Sequence, residues 1–406
     1  MTAERAFMNR EEYPAGAAGF ILIPLLLIMG LVSLAAGGAL LSGQLDLRTA
    51  AKLKMSIEAF YIAEAGLNHG WDELQNGDGV NDFPTLSTAT GATTLFRKRD
   101  FDDGSYTVTA EAVAGSNPRR VQVTSTGCLP AGDPCPSGHS KAVMEAEFRR
   151  QSLFLCALCG KEGVTLSGGS QTDSFDSRKL PYTILTAGSE GDVLSNGNIL
   201  LSALTTRVKG NAIAGGSVLK IGATVTGASV GGAPLRPYLP VSSCGPPYSS
   251  GVGITGGIYD PTTGQLRGSG AVPIILAAGT YCFSSIDLSG GVSTLAVSGP
   301  VTISLTAHSL LTGGGIENPT LVAENLKIFS SVSSAKEGLD IASGRLVYIA
   351  VYAPNARVVV SGSADLYGSV VGATVSAATG AKFHYDKRLK DNQDGGIVMV
   401  TWRELF

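Results

Sequence analysis

The chain has 406 residues, 53 of them glycine, and only 16% are charged, against about 7% glycine and about 25% charged in ordinary globular proteins. Hydrophobic residues make up 44%, enough for a packed core, which excludes wholesale disorder. The 30 Lys and Arg against 33 Asp and Glu leave a net charge of -3, so nothing favours a polyanion and no nucleic-acid partner is expected.

No charge falls between Tyr13 and Leu45, and the apolar run there exceeds the roughly 20 residues needed to cross a bilayer. It is about twice the apolar core of a cleavable secretory signal, so a retained anchor is expected. Arg5 and Arg10 precede the span beside Glu4, Glu11 and Glu12, while Arg48, Lys52 and Lys54 follow it. This balance does not orient it by the positive-inside rule. The six cysteines, Cys128, Cys135, Cys156, Cys159, Cys244 and Cys282, all follow the span. An even set suggests oxidised pairs outside the cytoplasm.

The helix is expected to continue past the membrane, because Leu53, Ile57, Phe60, Leu67, Trp71 and Leu74 form a seam at spacings of three and four. From Phe20 to Gln75 it would span about 84 Å at the helical rise. The turn-forming run Gln75 to Gly79 is the expected stop. One seam position is Glu64, within the run Ala63, Glu64, Ala65, Gly66. It reads either as a seam-edge carboxylate reaching solvent or as a hydrogen bond to the following domain. Its small neighbours would let another backbone approach closely.

A short leader, then Gly19 and Phe20, then a long apolar helix, resembles a type IV prepilin, and the Ala63 to Gly66 run resembles the PilX-like minor pilins. The resemblance implies cleavage between Gly19 and Phe20 by a prepilin peptidase. It implies a single pass through the inner membrane with a periplasmic carboxy-terminal domain before assembly. Other pilins and minor pilins would then pack against the helix in an extracellular pilus. The chain departs from the family at Pro24, where the fifth residue of the mature chain is usually Glu. Proline is tolerated in a first helical turn, but it cannot pair with a neighbour's terminal amine. Loss of that Glu is linked in the family to subunits at the tip or in the priming complex. An uncleaved single-span anchor is the competing reading.

Residues 80–150 alternate apolar and polar positions in short runs, predicting a small antiparallel sheet that covers the helix seam. Cys128 and Cys135 bracket a proline-bearing loop that a disulfide closes easily. From about Leu155 short β-branched runs end in Gly, Ser or Asn, and Ser195 to Gly270 carries only Arg207, Lys209, Lys220, Arg236, Asp260 and Arg267 as charges. A loose repeat ending at Gly362 and again at Gly380 suggests coils of about 18 residues, as in a β-solenoid; an antiparallel sandwich is the alternative. The stretch from Leu155 to Leu389 also resembles the β-helical domain often joined to PilX-like anchors.

The expected fold is therefore mainly β with a long amino-terminal α-helix, a small pilin-like antiparallel sheet and a parallel β-helix. The expected organisation is a leader (1–19), helix (20–78), small sheet (79–153), β-helical head (154–390) and terminal strand or cap (391–406).

Chemistry-bearing residues are few. His69, His139, His308 and His384 show no His or Cys partner at metal-ligand spacing, and Cys156 with Cys159 lacks the second pair of a zinc site. That pair reads as a structural disulfide or two free thiols, and Cys244 with Cys282 as a link across the solenoid. Asp340, Asp365, His384 and Asp386 come nearest to a glycosidase set, which needs two carboxylates several ångströms apart. Capping or solvent-facing roles fit Asp365 and Asp386 better. The runs Asp391 to Gly396 and Asn76 to Asp82 lack calcium-loop spacing. No enzyme activity, metal or cofactor is expected. Tyr348, Tyr352, Tyr367 and Tyr385 could serve an adhesive head with a surface or glycan ligand, or simply stack in the core. The rivals are a membrane-anchored carbohydrate-active enzyme and a static envelope protein outside any filament.

Overall fold

A computed structural model describes residues 22–76, 82–116, 119–179, 182–289, 292–342, 344, 346–392 and 394–405. Helix α1, Leu22–Asn76, is 55 residues long and unbroken, with Pro24 in its first turn, where no intrahelical amide bond is lost. It is long and apolar enough to cross a membrane. From Leu25 to Ile57 nearly every side chain is exposed, and the first buried residue is Ala59.

The distal part of α1 lies on a five-stranded antiparallel sheet. Its strands are β1 (Thr93–Phe101), β2 (Gly104–Ala112), β3 (Arg120–Leu129) and β4 (Ser140–Arg150), with Ile397–Leu405 beside β4. Alternation places Tyr106, Val108, Val121, Val123, Met144 and Phe148 beneath the helix, as a sheet with one covered face requires. The terminal strand thus completes this first sheet, pairing Ile397 with Arg150 and Trp402 with Ala146. The head is an insertion between two neighbouring strands, entering after Arg150 and leaving before Ile397.

The buried face of α1 differs from the expected seam. Leu53 is 61% exposed, Ile57 47% and Trp71 39%, whereas Ala59, Ile62, Ala63, Gly66, Leu67, Gly70 and Leu74 are buried. Leu67 and Leu74 of the expected seam are buried and Phe60 packs against the core, but small residues make up the rest of the contact because the sheet comes so close. A Cβ on Gly127 of β3 would strike the Ala59 carbonyl and sit 2.6 Å from the Ala63 nitrogen. One on Gly66 would strike Ser125 Oγ and the Tyr106 ring.

Most strands of the head pair in parallel. From β5 (Leu158–Leu166) and β6 (Gln171–Phe175) one series runs outward, with Val193 beside Leu158, Ala212 beside Val193 and Ser229 beside Ala212. The chain leaves through 231–253 and re-enters at a hairpin of Ile258–Asp260 with Gln265–Arg267. A second series returns, with Tyr281 beside Ile303, then Ile328, Val351, Val370 and finally Leu158. Both series meet at β5. A four-stranded sheet formed by Ile254–Thr255, Ile274–Leu276, Thr294–Val297 and Gly315–Glu317 flanks them. These registers are unlike the antiparallel pairing of a sandwich. The two series enclose one apolar core running from Phe154 to Leu389, because alternate residues of most strands face inward.

Candidate functional site

The assembly motif lies on the helix. Gly19 and Phe20 fall outside the described residues. Ala63 and Gly66 are buried against the sheet, Ala65 is half-buried and Glu64 is exposed, the solvent-facing arrangement of the two considered for that carboxylate. Gly30, Gly37, Gly38 and Gly43 have nothing within 4 Å of a built Cβ. In an isolated water-exposed helix each would cost about 1 kcal/mol relative to Ala.

All six cysteines are paired: Cys128 with Cys135, Cys156 with Cys159 and Cys244 with Cys282, at Cα separations of 5.5, 6.0 and 5.8 Å. The last ties the crossing segment to the strand Gly279–Phe283. His139 stands four residues after Cys135, a metal-compatible spacing, which corrects the expectation that no histidine has a Cys partner at such spacing. The ligand atoms of Cys128, Cys135 and His139 lie within 4.8 Å of one another. With both sulfurs in a disulfide, no thiolate is left to coordinate a metal there. His139 Nδ1 instead lies 2.9 Å from the Pro130 carbonyl.

The carboxylates considered for catalysis do not converge as a set. Asp340 sits 3.4 Å from Arg357 and 3.8 Å from His308. Asp386 is buried and caps the turn Lys387–Asp391, accepting from the Arg388 and Ser177 amides. Burial pushes its carboxyl above the ordinary value. Asp365 pairs with Lys382 at 3.3 Å. Of the tyrosines, Tyr352 and Tyr385 are core residues whose hydroxyls donate to the Leu239 and Phe154 carbonyls.

Asp365 and His384 do share a cavity, together with a residue not singled out from sequence, Asp173. Parallel in-register strands stack equivalent side chains side by side, about 4.8 Å apart. One column reads Tyr348, Tyr367, His384, Asp173. A second, two residues earlier, reads Asp365, Lys382, Gln171, Arg207. Both face away from the core, since Leu366, Phe383, Thr172 and Val208 between them point inward and are buried. The Tyr348 and Tyr367 rings stack at 4.4 Å, and Tyr367 and His384 lie 4.5 Å apart.

Tyr182, from the loop after β6, covers the first column. Its ring lies 4.1 Å from that of His384, and its hydroxyl donates to Asp173 Oδ2 at 2.8 Å. His384 Nδ1 is 2.6 Å from Asp173 Oδ1. A carboxylate accepts here, so Nδ1 carries the hydrogen and Nε2 is left for another partner. Burial, then the bond to Asp173, raises the Tyr182 hydroxyl pKa; burial and then the neighbouring Tyr348 raise that of Tyr367. The cavity is ≈ 400 Å³, within the usual range of small-molecule sites. A smaller, more apolar cavity of ≈ 260 Å³ lies where the end of α1, the two strand connections and the crossing segment meet.

A family model described as a domain of unknown function (DUF7305) matches residues 316–392, the part of the head that contributes Tyr348, Tyr367 and His384. No curated protein matches the chain. Among solved structures, the competence-associated pilin ComZ from Thermus thermophilus is similar at 11% identity, covering 86% of this chain and 97% of its own. The TM-score is 0.21, so this likeness carries no argument about function.

Proposed function

We propose that the chain is a pilin-like subunit of a type IV pilus system, anchored and assembled through α1, whose head is carried outward on the small sheet. The observation that carries this reading is the division of α1. Its distal part is buried on an antiparallel sheet, while Leu25 to Leu45 forms a long apolar surface left uncovered by the described residues. Such a surface in water is strongly unfavourable, at about 25 cal/mol per Å² of apolar area. A bilayer covers it before assembly, and neighbouring subunits' helices cover it afterwards. The four open glycines suit close helix contact.

On this reading the leader is removed by a prepilin peptidase between Gly19 and Phe20. Pro24 removes the usual charge pair with a neighbour and so favours a tip or priming position. We read the head as a parallel β-helix, a reading supported by its registers, and assign it binding rather than catalysis. A static envelope anchor would present the same bare helix, so location must separate the two. The test is mass spectrometry of filaments sheared from cells. The protein should travel with them and disappear from that fraction when the prepilin peptidase is deleted. Confinement to the cell envelope in both strains would refute incorporation.

A further inference from the structure

We propose that the cavity built by Asp173, Tyr182, Arg207, Lys209, Tyr367 and His384 binds a carboxylate-bearing saccharide. This deepens the reading of the head as a display domain. Its test reads binding, not assembly, so either can fail alone.

Four properties of the cavity converge on that ligand. First, charge is concentrated there: Asp173, Arg207, Lys209, Asp365 and Lys382 all line it, in a chain with only 16% charged residues. Second, the sign favours an anion. Three cations face two carboxylates, and both carboxylates are occupied, Asp365 by Lys382 and Asp173 by His384 and Tyr182. Arg207 is exposed and has no carboxylate partner among the described residues. Lys209 spends one donor on the Ala187 carbonyl at 2.6 Å and keeps two. A guanidinium fork beside an ammonium suits a carboxylate.

Third, the neutral groups suit a sugar ring. Tyr182 and Ile184 supply apolar surface at the mouth, and sugar C–H faces pack on such surface while their hydroxyls need acceptors and donors. His384 provides one: its side chain is 5% exposed, its Nδ1 is taken, and Nε2 has no partner among the described residues. Fourth, the constellation is held rigidly. His384 is fixed by a carboxylate on one edge and tyrosine rings at 4.1 and 4.5 Å, and every member but Tyr182 sits on a parallel strand or directly after one. Sites on strands hold their geometry better than sites on loops.

The test uses the full chain in detergent micelles and two trisaccharides differing only at the terminal unit, one ending in glucuronate and one in glucose. Isothermal titration should find the acid bound at least tenfold more tightly than the neutral sugar. The double variant Arg207→Ala with Lys209→Gln should abolish that difference, since it removes the cations at exposed and half-exposed positions without touching the core. Circular dichroism of the variant checks that the head is folded. No saturable binding of the glucuronate sugar, equal binding of both sugars by the wild type, or an undiminished preference in the folded double variant would each overturn the proposal.

Discussion

The helix–sheet unit and the head solve the problem of hiding apolar surface in opposite ways. The small sheet has one covered face and borrows its cover from α1, through contacts as close as Gly127 on Ala59 and Ala63. The head encloses its own core between parallel series that meet at β5 and needs no helix. The two meet through strands, since Gln151 and Gly396 continue the pairing of β4 with the terminal strand. A pull on the head is therefore shared by two paired strands of the sheet. The lesson is that stability can be lost in one unit and kept in the other, while the head remains attached at two points.

This contrast breaks most sharply at the disulfide between Cys244 and Cys282, which closes a 38-residue separation. By the loop-entropy relation it stabilises the head by about 4 kcal/mol, against about 2 for the shorter Cys128–Cys135 loop. Replacing both Cys244 and Cys282 with Ser should lower the head's calorimetric transition and leave that of the helix–sheet unit in place. If both transitions fall together, the units are not separable. Next in size is Gly127→Val, which forces α1 off β3 and should cost about 3 kcal/mol, the upper range for overpacking. Here the helix–sheet transition should move and the head's should stay.

The smallest effect sharpens the contrast through pH. The Arg178 side chain holds the Asp176 carboxyl below its ordinary value of 3.8 by hydrogen bonding. Between the lowered value and 3.8 the unfolded chain binds more protons, so this contribution is complete above 3.8 and fades as pH falls. Burial has the opposite effect on Asp386, whose raised pKa adds stability on acidification that is lost as pH rises through that value. The head should therefore gain slightly on mild acidification and then lose stability below about pH 4. Asp176→Asn should flatten the acid limb alone, by less than about 1 kcal/mol given the half-exposed Arg178. A limb unchanged in melting curves of that variant would remove Asp176 from the account.

Local pattern made much of this legible. The helix end, the alternation in the small sheet and the Gly362 to Gly380 offset all follow from neighbouring residues. The structure sets Val360 beside Ala377 and bonds the Gly362 amide to Thr379 Oγ1, offsets of 17 rather than the expected 18. Distant closure was not legible. Nothing near Tyr385 announces that it pairs with Ser174, because β6 precedes the second series by most of the head. The cavity did leave a trace. Polar, apolar, polar triplets at Arg207 to Lys209, Asp365 to Tyr367 and Lys382 to His384, with Gln171 to Asp173 carrying Thr172 in the middle, supply most of both columns. Reading them together requires knowing which strands are neighbours. The seam was only partly legible for a different reason: large side chains dominate a periodicity and found Leu67 and Leu74, whereas close packing also selects small ones.

The central claim is that α1 is a processed pilin helix, and the most direct measurement is the amino-terminal sequence of the mature, membrane-associated protein by mass spectrometry. It should begin at Phe20 in cells with the prepilin peptidase and retain its leader in cells without it. An intact Met1 in both would contradict the claim and leave α1 as a permanent anchor.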